Sequence, residues 1–462
     1  MPEYIHELKA WPQFNWGVEH IAGQLASVSR HQGRLIGRME ALGFQLRAQA
    51  VLESLTRDVI ESSEIEGEVL DKDQVRSSIA RRLGLDIGAI APVDRNVEGV
   101  VEMMLDATQS YDRPLTEERL FGWHAALLPT GRSGMTKIVV GGWRGDKSGP
   151  MQVVSGPIGR ERVHYEAPAA SRLEHEMRAF LRWFNAETGI DPVLKSAVAH
   201  LWFVTIHPFE DGNGRIARAI ADMMLARSEE SSQRFYSMSA QIRVERNAYY
   251  DILEKTQKGD LDITAWLHWF LACLNRAFDG AGKTLASILR KARFWDIYAQ
   301  ENLNDRQRKV LNRMLDGLEG KLRSSKWAAL TKTSNDTALR DIEDLIGRGI
   351  LVKDAAKGRS TRYSVIASAA DALRAVANDS RAKAADLTAC SGAAMPDESE
   401  NAQSRQKIDR IADKIDALTD ESLQPEISYA DFDPLLRQLH LLGIFPEDQL
   451  VAAVARMTSH RP

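Results

Sequence analysis

A twelve-residue stretch from residue 207 to residue 218 constrains the fold of this chain more than any other feature. It reads HPFEDGNGRIAR and directly follows an apolar segment, Ala197 to Ile206, which is too short to span a membrane. Its two glycines, Gly212 and Gly214, permit positive φ or a close approach of the backbone to an anion. The stretch therefore predicts a buried helix, a tight loop and a second helix that begins near Asn213.

The same twelve residues carry the side chains that phosphoryl or nucleotidyl transfer requires. The imidazole of His207 can take up a proton near neutral pH, and the carboxylate of Asp211 can hold Mg²⁺ beside phosphates. Arg215 and Arg218 supply charged forks for phosphate oxygens, and the start of the following helix directs N–H groups at an anion. We predict a nucleotide-phosphate site with a built-in base; a glycine-rich helix start without function, or an inactive remnant of such a site, is the alternative.

Composition limits the class of protein. With 462 residues, 44% of them hydrophobic and 27% charged, a soluble protein of two to four domains is expected. The net charge of −4 gives the whole chain no attraction to nucleic acid. Cys273 and Cys390 are the only cysteines, which argues against a disulfide scaffold or a thiolate zinc site. The N-terminal residues contain no apolar signal core, and no apolar run of the sequence is long enough to span a membrane. We therefore expect a cytoplasmic protein with no membrane contact.

Hydrophobic periodicity predicts a mainly α fold. Helical spacing without proline favours helices within residues 16–62, and two more are expected within 92–128. Between Gly131 and Pro168, glycines, prolines and short β-branched runs predict a β-hairpin flanked by loops. Further helices are predicted at 170–186, 192–206, 213–228, 245–258 and 262–277.

Residues 304–365 are predicted to form a separate module. Three short helical segments precede an apolar run and a turn at 357–363, the order of a winged helix-turn-helix. The cations of its wing, which could reach phosphates, are Lys353, Lys357, Arg359 and Arg362. The presumptive recognition helix at 335–347 is acidic, through Asp336, Asp341, Glu343 and Asp344. DNA binding and a structural or dimer-forming role both remain open.

Beyond residue 366 the chain becomes rich in Ala, Ser and Asp. We predict a linker over 367–404, followed by helices at 404–418 and 447–457. This tail is interpreted as a helical appendage on a flexible tether, which serves either as an interaction element or as a passive extension.

The twelve-residue stretch resembles the signature of the Fic family, H-P-F-x-[D/E]-G-N-G-R-x-x-R, at every defined position. The resemblance extends over about residues 1–365, to Fic proteins with an N-terminal helical extension. It implies a mainly α fold with a β-hairpin called the flap. The implied domains are an N-terminal helical domain with an inhibitory helix at 1–90, a Fic catalytic core at 91–280, a connecting helix at 281–303 and a winged helix-turn-helix at 304–365. Residues 366–462 lie outside the resemblance and are interpreted as a linker and tail of unknown role.

This resemblance implies a protein adenylyltransferase that uses ATP and Mg²⁺. His207 would deprotonate a Ser, Thr or Tyr hydroxyl of a target protein, which includes the chain itself, while Asp211 would bind Mg²⁺ and Arg218 the γ-phosphate. The other ATP-binding positions implied are Phe209, Glu210, Gly212, Asn213, Gly214, Arg215, Tyr249, Tyr250 and Gln257. Phe209 is also expected to pack beneath the loop, and aromatic residues on a helix are as often core as ligand contacts.

A second short pattern lies far upstream. Ser62, Glu66 and Gly67 resemble the family's inhibitory motif, [S/T]-x-x-x-E-[G/N]. By that resemblance Glu66 pairs with Arg218 and keeps it from the γ-phosphate of ATP. Breaking such a pair one-sidedly costs on the order of 3–5 kcal/mol if it is buried, enough for an off-switch. A solvated glutamate at a helix end is the ordinary alternative.

The hairpin near 138–165 resembles the family's flap, to which a target segment would add as an extra strand. The residues expected to line it are Val153, Val154 and Val163. Three functions stay open: transfer of AMP, its removal by water that Glu66 and His207 activate, and nucleotide sensing by a regulator of DNA or of a partner protein. Fic relatives also accept other nucleotides or phosphocholine, and a homodimer is compatible with the sequence.

Overall fold

The computed structural model describes residues 3–86, 92–146, 149–157, 160–318, 322–353, 361–389, 398–418, 429–442 and 444–459. In these residues the chain is mainly helical, with a few short strands, so the predicted fold class is confirmed. The chain divides into two compact units, Met1–Leu285 and Ala286–Pro462, each of which is considered by itself. No helix in the described residues combines the length and apolarity needed to cross a membrane.

The first unit begins with five helices: α1 (Val18–Glu40), α2 (Phe44–Ile65), α3 (Lys72–Arg82), α4 (Arg95–Gln109) and α5 (Glu117–Leu127). Side-chain caps define three of these starts, because Asp71, Asp94 and Thr116 each accept a hydrogen bond from a backbone N–H three residues later. The cap at Thr116 is where the sequence predicts the start of a helix. The N-terminal block and the core, expected as two domains, lie within one compact unit.

In the described residues of this unit five further α-helices follow, α6 (Leu173–Asn185), α7 (Pro192–Ile206), α8 (Asn213–Glu229), α9 (Met238–Val244) and α10 (Arg246–Gln257), and α11 (Thr264–Ile297) begins here. Asp191 caps α7, and Pro192 takes its first position, where a missing N–H costs nothing. Helix α7 is buried along its length and packs against α8. Helix α11 is continuous to Ile297, whereas the sequence predicts a core helix that ends at 277 and a connecting helix at 281–303.

The described residues between α5 and α6 contain four short strands: β1 (Arg132–Ser133), β2 (Thr136–Lys137), β3 (Gln152–Ser155) and β4 (Arg162–Glu166). They form two antiparallel pairs, β1–β2 and β3–β4. In the second pair Val153 lies opposite Tyr165 and Val154 opposite Val163, with a register shift between them. The hairpin is therefore smaller than the segment 138–165 predicted for it, and residues 147, 148, 158 and 159 of that segment lie outside the described residues.

The second unit contains α12 (Asp305–Leu315), α13 (Ser324–Thr331), α14 (Asn335–Gly347) and an antiparallel hairpin of β5 (Leu351–Lys353) with β6 (Tyr363–Val365). The winged-helix assignment and DNA binding stay predictions, and Lys357 and Arg359 of the predicted wing lie outside the described residues. Asp341 on α14 is buried and accepts hydrogen bonds from Arg306 at 2.8 and 2.9 Å. This carboxylate therefore packs inside the unit instead of facing outward from the helix.

The C-terminal residues form four helices: α15 (Ala369–Ala389), α16 (Glu398–Ala417), α17 (Tyr429–Leu441) and α18 (Asp448–Ser459). The prediction of a linker over 367–404 is wrong for residues 369–389 and 398–404, which are helical. Leu373 and Val376 of α15 are buried in the same core as Val310 and Trp327. Alanine-rich composition favours helix as much as disorder, since alanine is the best helix former and allows close packing. Helix α17 was not predicted because it contains Pro434.

Substitution of Gly99 tests the packing of α4 against α5. A Cβ at this position would lie 1.7 Å from the carbonyl oxygen of Ala126, and a backbone atom cannot move aside as a side chain can. Gly99→Ala is expected to lower the free energy of unfolding by about 2 kcal/mol or more, measured by urea denaturation. Gly122→Ala on α5 is the matched control, because nothing lies within 4 Å of that Cβ. The control should stabilise by up to about 1 kcal/mol; a Gly99→Ala protein as stable as the parent would contradict the α4–α5 contact.

Candidate functional site

The loop from 207 to 212 joins the two central helices of the first unit. Helix α7 ends at His207, whose backbone lies in the left-handed region with φ 51° and whose N–H donates to the carbonyl of Phe203 at 3.0 Å. Gly212 has φ 82°, and a Cβ there would lie 2.8 Å from the side chain of Leu127. Glycine at 212 thus provides both the conformation and the clearance that the start of α8 needs.

The side chain of Asn213 closes this loop. Its Oδ1 accepts a hydrogen bond from the N–H of Phe209 at 3.0 Å, and its Nδ2 donates to the carbonyl of the same residue at 2.8 Å. Asn213 is 2% exposed. The family resemblance implied an anion-binding role for this residue; since its side chain is occupied by Phe209, only its backbone is left for such a role.

Phe209 lies beneath the loop, where the sequence analysis expected it to pack. It is fully buried, with its ring stacked on His124 at a centroid distance of 4.1 Å and tilted against Trp143 at 5.2 Å. A fully buried ring does not contact a ligand, so the implied ATP contact of Phe209 is replaced by a packing role. Glu210 is also engaged, because its Oε2 accepts a hydrogen bond from the N–H of Val139 at 2.9 Å.

Arg144 fixes the same loop from the outside, and the sequence analysis missed it. Its backbone N–H donates to the carbonyl of Pro208 at 2.9 Å, its Nε to the carbonyl of His207 at 2.7 Å, and its Nη2 to the carbonyl of Pro168 at 2.5 Å. The residue is 4% exposed. A lone arginine in a glycine-rich segment carries no signal of this role in a single sequence, because all three acceptors are backbone carbonyls of residues distant along the chain.

The imidazole of His207 is held in one tautomer. Its Nδ1 lies 3.3 Å from the carbonyl oxygen of Val204, and since a carbonyl can only accept, Nδ1 carries the hydrogen. Nε2 is therefore left with its lone pair. Burial lowers the pKa of His207 to about 4, and the charge of Arg144 acts in the same direction. The ring is thus a neutral base at physiological pH.

Helix α2 brings its predicted inhibitory residues to the second arginine of the loop. The Nη1 of Arg218 lies 2.9 Å from Oε1 of Glu66, its Nε donates to Oγ of Ser62 at 2.9 Å, and its Nη2 donates to the carbonyl of Ser62 at 2.8 Å. Arg218 is 2% exposed. The guanidinium is therefore held by two hydrogen bonds to Ser62 and by an ion pair with Glu66, at the C-terminal end of α2.

Two glycines make this contact possible. Gly67 follows the helix with φ 85°, and its N–H donates to the carbonyl of Glu64 while that of Glu68 donates to Ser63, which is a Schellman turn. On the opposite side, a Cβ at Gly214 would lie 2.2 Å from Oε1 of Glu66. The carboxylate of Glu66 thus sits against bare backbone at the start of α8.

Helix α10 holds the end of α2 in place. The Nε of Arg246 donates to the carbonyl of Ile65 at 2.8 Å, and the hydroxyl of Tyr250 donates to the same oxygen at 3.4 Å. Of the residues expected near adenine and ribose, Tyr249 and Gln257 are buried, at 2% and 6% exposure, whereas Tyr250 is 36% exposed. Only Tyr250 of these three therefore offers an open surface to a ligand.

Asp211 and Arg215 occupy the mouth of the site. One oxygen of Asp211 accepts the N–H of Gly212 at 2.6 Å, and its side chain remains 37% exposed. An accessible carboxylate beside a helix N-terminus fits Mg²⁺, which takes oxygen ligands and completes its shell with water and phosphate. Arg215 is nearly buried, and its Nη1 lies 2.5 Å from Oε2 of Glu68, a residue that the sequence analysis did not select.

The β3–β4 hairpin is anchored to α10 through Glu254. This carboxylate accepts Nη2 of Arg162 at 2.9 Å and contacts Nδ1 of His164 at 2.6 Å, while Nε2 of His164 contacts the hydroxyl of Ser155 at 2.6 Å. Although burial acts to raise it, hydrogen bonds from His164, Lys258 and Arg162 lower the pKa of Glu254 to about 2. Among the valines predicted to line the flap, Val154 is 48% exposed, and Val153 and Val163 are half-buried.

Comparison with protein families gives two matches along the chain. Residues 114–225 match the Fic/DOC family, and residues 4–85 match a domain of unknown function, DUF4172. The first match contains the whole loop from 207 to 218, and the second contains the end of α2 with Ser62, Glu66 and Gly67. The family resemblance of the twelve-residue stretch is thereby confirmed.

Curated relatives share the name "Protein adenylyltransferase Fic". The chain is 30% identical over 132 residues to the Drosophila yakuba protein, covering 28% of this chain and 25% of the relative. It is 33% identical over 114 residues to the Culex quinquefasciatus protein, and the match covers 24% of this chain and 21% of that relative. It is 24% identical over 242 residues to the Nematostella vectensis protein, and the match covers 50% of this chain and 49% of that relative. The chain thus spans about half or less of the length of these relatives.

Two solved structures are similar to the chain. One is a crystal structure of a Fic family protein from Desulfovibrio desulfuricans G20, at 21% identity and a TM-score of 0.43, covering 75% of this chain and 95% of that one. The other is a Fic domain containing signaling protein from Bacteroides thetaiotaomicron VPI-5482, at 20% identity and a TM-score of 0.41, covering 58% and 98%.

Replacement of Arg144 tests whether this residue holds the loop. Arg144→Ala leaves the buried carbonyls of His207 and Pro168 without a donor, at about 1–3 kcal/mol each. We expect the free energy of unfolding to fall by about 2–4 kcal/mol, measured by urea denaturation. Arg178→Ala is the control, because Arg178 forms an exposed pair with Glu174 and its loss should change stability by less than about 0.5 kcal/mol. Equal stability of the two variants would exclude the anchoring role.

Proposed function

We propose that this chain, which belongs to the Fic/DOC family through residues 114–225, is a protein adenylyltransferase that moves AMP from ATP to a Ser, Thr or Tyr hydroxyl of a protein. The observation that carries the proposal is the arrangement of one loop and one helix start. A neutral imidazole, an accessible carboxylate and two nearly buried arginines surround a glycine-lined helix N-terminus. The name shared by the curated relatives supports the same chemistry.

His207 acts as the general base in this proposal. Its Nε2 accepts the proton of the target hydroxyl, whose oxygen forms a bond to the α-phosphorus of ATP. The bond from that phosphorus to the oxygen shared with the β-phosphate breaks, and pyrophosphate leaves. The Val204 carbonyl on Nδ1 and the loop contacts of Arg144 keep the ring aimed, which is the positioning that in-line displacement needs.

The remaining residues bind and neutralise the phosphates. The N-terminus of α8 presents backbone N–H groups and the positive end of its dipole to an anion. Arg215 and Arg218 supply guanidinium donors from consecutive turns of the same helix. Asp211 would hold Mg²⁺, which neutralises charge on the phosphates when it is bound.

We further propose that Glu66 restrains this activity. ATP needs Arg218 for its γ-phosphate, and in the structure that guanidinium is shared between Glu66 and Ser62. A nearly buried arginine must keep a counter-charge, so Glu66 leaves only when a phosphate replaces it. The enzyme is therefore inactive until the carboxylate of Glu66 moves away from Arg218.

The target is proposed to add as a strand to the β3–β4 hairpin. An isolated two-stranded hairpin is marginally stable in water, so its order depends on the anchors at Glu254. A hairpin held from α10 can receive an extended segment with little further ordering, and Val154 offers an exposed apolar side chain to it.

Removal of AMP from a modified protein is the second candidate. The negative charge of Glu66 acts on His207, where it opposes the effect of burial on the pKa. A carboxylate and an imidazole that interact electrostatically can together activate a water molecule. In this reaction Glu66 is required for turnover, whereas in transfer it is inhibitory, so one substitution separates the two.

Labelled ATP tests the direction of the reaction. We expect Glu66→Gly to raise self-modification from α-labelled ATP by about tenfold or more, because at least 1.4 kcal/mol of inhibition is removed. His207→Ala in the same background should abolish the label. Measurements at equal protein concentration, with thermal unfolding recorded for each variant, exclude a folding effect.

The position of the label decides between the alternatives. Label transferred from γ-labelled ATP would contradict adenylylation. No transfer by any variant, together with release of AMP from a pre-modified protein only when Glu66 is present, would establish the reverse reaction instead.

The pH dependence of transfer follows from the pKa of His207, which is about 4. The base is active when neutral, so protonation removes it as the pH falls through that value. The initial rate of the Glu66→Gly variant at saturating ATP and Mg²⁺ should be nearly constant between about pH 8 and 6. It should fall only at or below about pH 4, because loss of the Glu66 charge lowers the pKa of His207 further. A midpoint between pH 6 and 7, with the protein still folded, would mean that the ring is solvated during the reaction.

A further inference from the structure

The turn that ends α2 carries a second glutamate that contacts the site. Oε2 of Glu68 lies 2.5 Å from Nη1 of Arg215, and the side chains are 35% and 6% exposed respectively. Asp211 lies farther from the same guanidinium, with 4.0 Å between Oδ1 and Nη2. Glu68 is therefore the nearer counter-charge of Arg215.

Both glutamates are delivered by one backbone turn. Glu66 caps α2, Gly67 turns the chain with φ 85°, and the N–H of Glu68 returns to the carbonyl of Ser63 at 3.0 Å. Because the backbone changes direction at a glycine with positive φ, the side chains of the residues before and after it point in different directions. The two carboxylates consequently reach two arginines that lie three residues apart on α8, Arg218 and Arg215.

Arg215 is only partly satisfied by this contact. Its Nε is buried and has no hydrogen-bond partner within the part of the chain that the structure describes. A buried donor without a partner favours a ligand that offers more acceptors. Phosphate oxygens provide them in the fork geometry that a guanidinium prefers, whereas Glu68 uses one oxygen on one nitrogen.

We propose that Glu68 is a second inhibitory carboxylate, which occupies Arg215 as Glu66 occupies Arg218, so that ATP must displace both. This inference rests on the proposed function, in which both arginines bind phosphates. Loss of Glu66 alone then leaves the nucleotide site half restrained. The two carboxylates leave together when the turn at Gly67 withdraws, because the same Schellman hydrogen bonds hold both.

Nucleotide binding by the full chain tests the second carboxylate without relying on turnover. Binding of ATP with Mg²⁺ is measured by calorimetry in a His207→Ala background, for Glu68→Gln, Glu66→Gly and the double variant. We expect Glu68→Gln to lower the Kd by about three- to tenfold, and the double variant to lower it by a similar factor beyond Glu66→Gly. Glu68→Ala repeats the test without an amide that could donate to a neighbour.

Glu64→Gln is the matched control. It removes the same charge four residues away, but Glu64 lies beside Arg243 at 3.5 Å and not beside the loop arginines. Its Kd should stay within about twofold of the parent, because the partner of Glu64 is the exposed Arg243 and not a nearly buried arginine of the loop. A decrease equal to that of Glu68→Gln would overturn the proposal, since a general charge effect would then explain both.

The remaining outcomes separate this inference from the function on which it rests. If Glu66→Gly binds ATP and transfers AMP while Glu68→Gln and Glu68→Ala change neither the Kd nor the effect of Glu66→Gly, Glu68 is not inhibitory and the transferase proposal stands. A raised Kd in the Glu68 variants would also overturn the inference, because Glu68 would then orient Arg215 for the nucleotide. If no variant binds ATP, the transferase proposal and the second carboxylate fail together.

Discussion

The burial of the Arg218 guanidinium is the constraint on which the first unit of this protein depends. A cation that is 2% exposed needs compensating partners, and the end of α2 supplies two acceptors on Ser62 and the ion pair with Glu66. This contact joins the N-terminal helices to the core, and both lie within one compact unit. It also makes α2 part of the site, since any ligand that removes Glu66 has to supply the lost charge.

Residues whose role follows from local geometry could be predicted from the sequence. Gly212 was selected because positive φ is a property of a single position, and its φ is 82°. His207 was selected because a base beside a glycine-rich helix start is a local pattern. Gly67 was selected only through the resemblance of residues 62–67 to the inhibitory motif, and its φ is 85°. Arg144 and Glu68 were missed for the opposite reason. Their partners lie 24 to 147 residues away along the chain, and a single sequence does not record which distant backbone carbonyl or arginine a side chain will meet.

Composition was least informative in the second unit. Alanine- and serine-rich residues were expected to form a tether, yet Leu373 and Val376 of α15 pack into one core with the α12–α14 helices. Ala372, Ala375 and Ala377 beside them are buried in the same core, where small side chains allow close helix packing. The negative charge of Asp341 counted against DNA binding by the helix at 335–347 in the sequence. In the structure this charge is paired with Arg306 inside the unit.

The clearance at Gly214 has a consequence for how the nucleotide and Glu66 exclude each other. The carboxylate occupies the volume in which a Cβ would lie, so a phosphate that approaches the same backbone meets an obstacle of size as well as of charge. Dissolved salt weakens attraction between charges but does not change occupied volume. Inhibition of nucleotide binding by occupied volume therefore persists at high ionic strength. An inhibitor that acted only through charge at an exposed surface would be weakened under the same conditions.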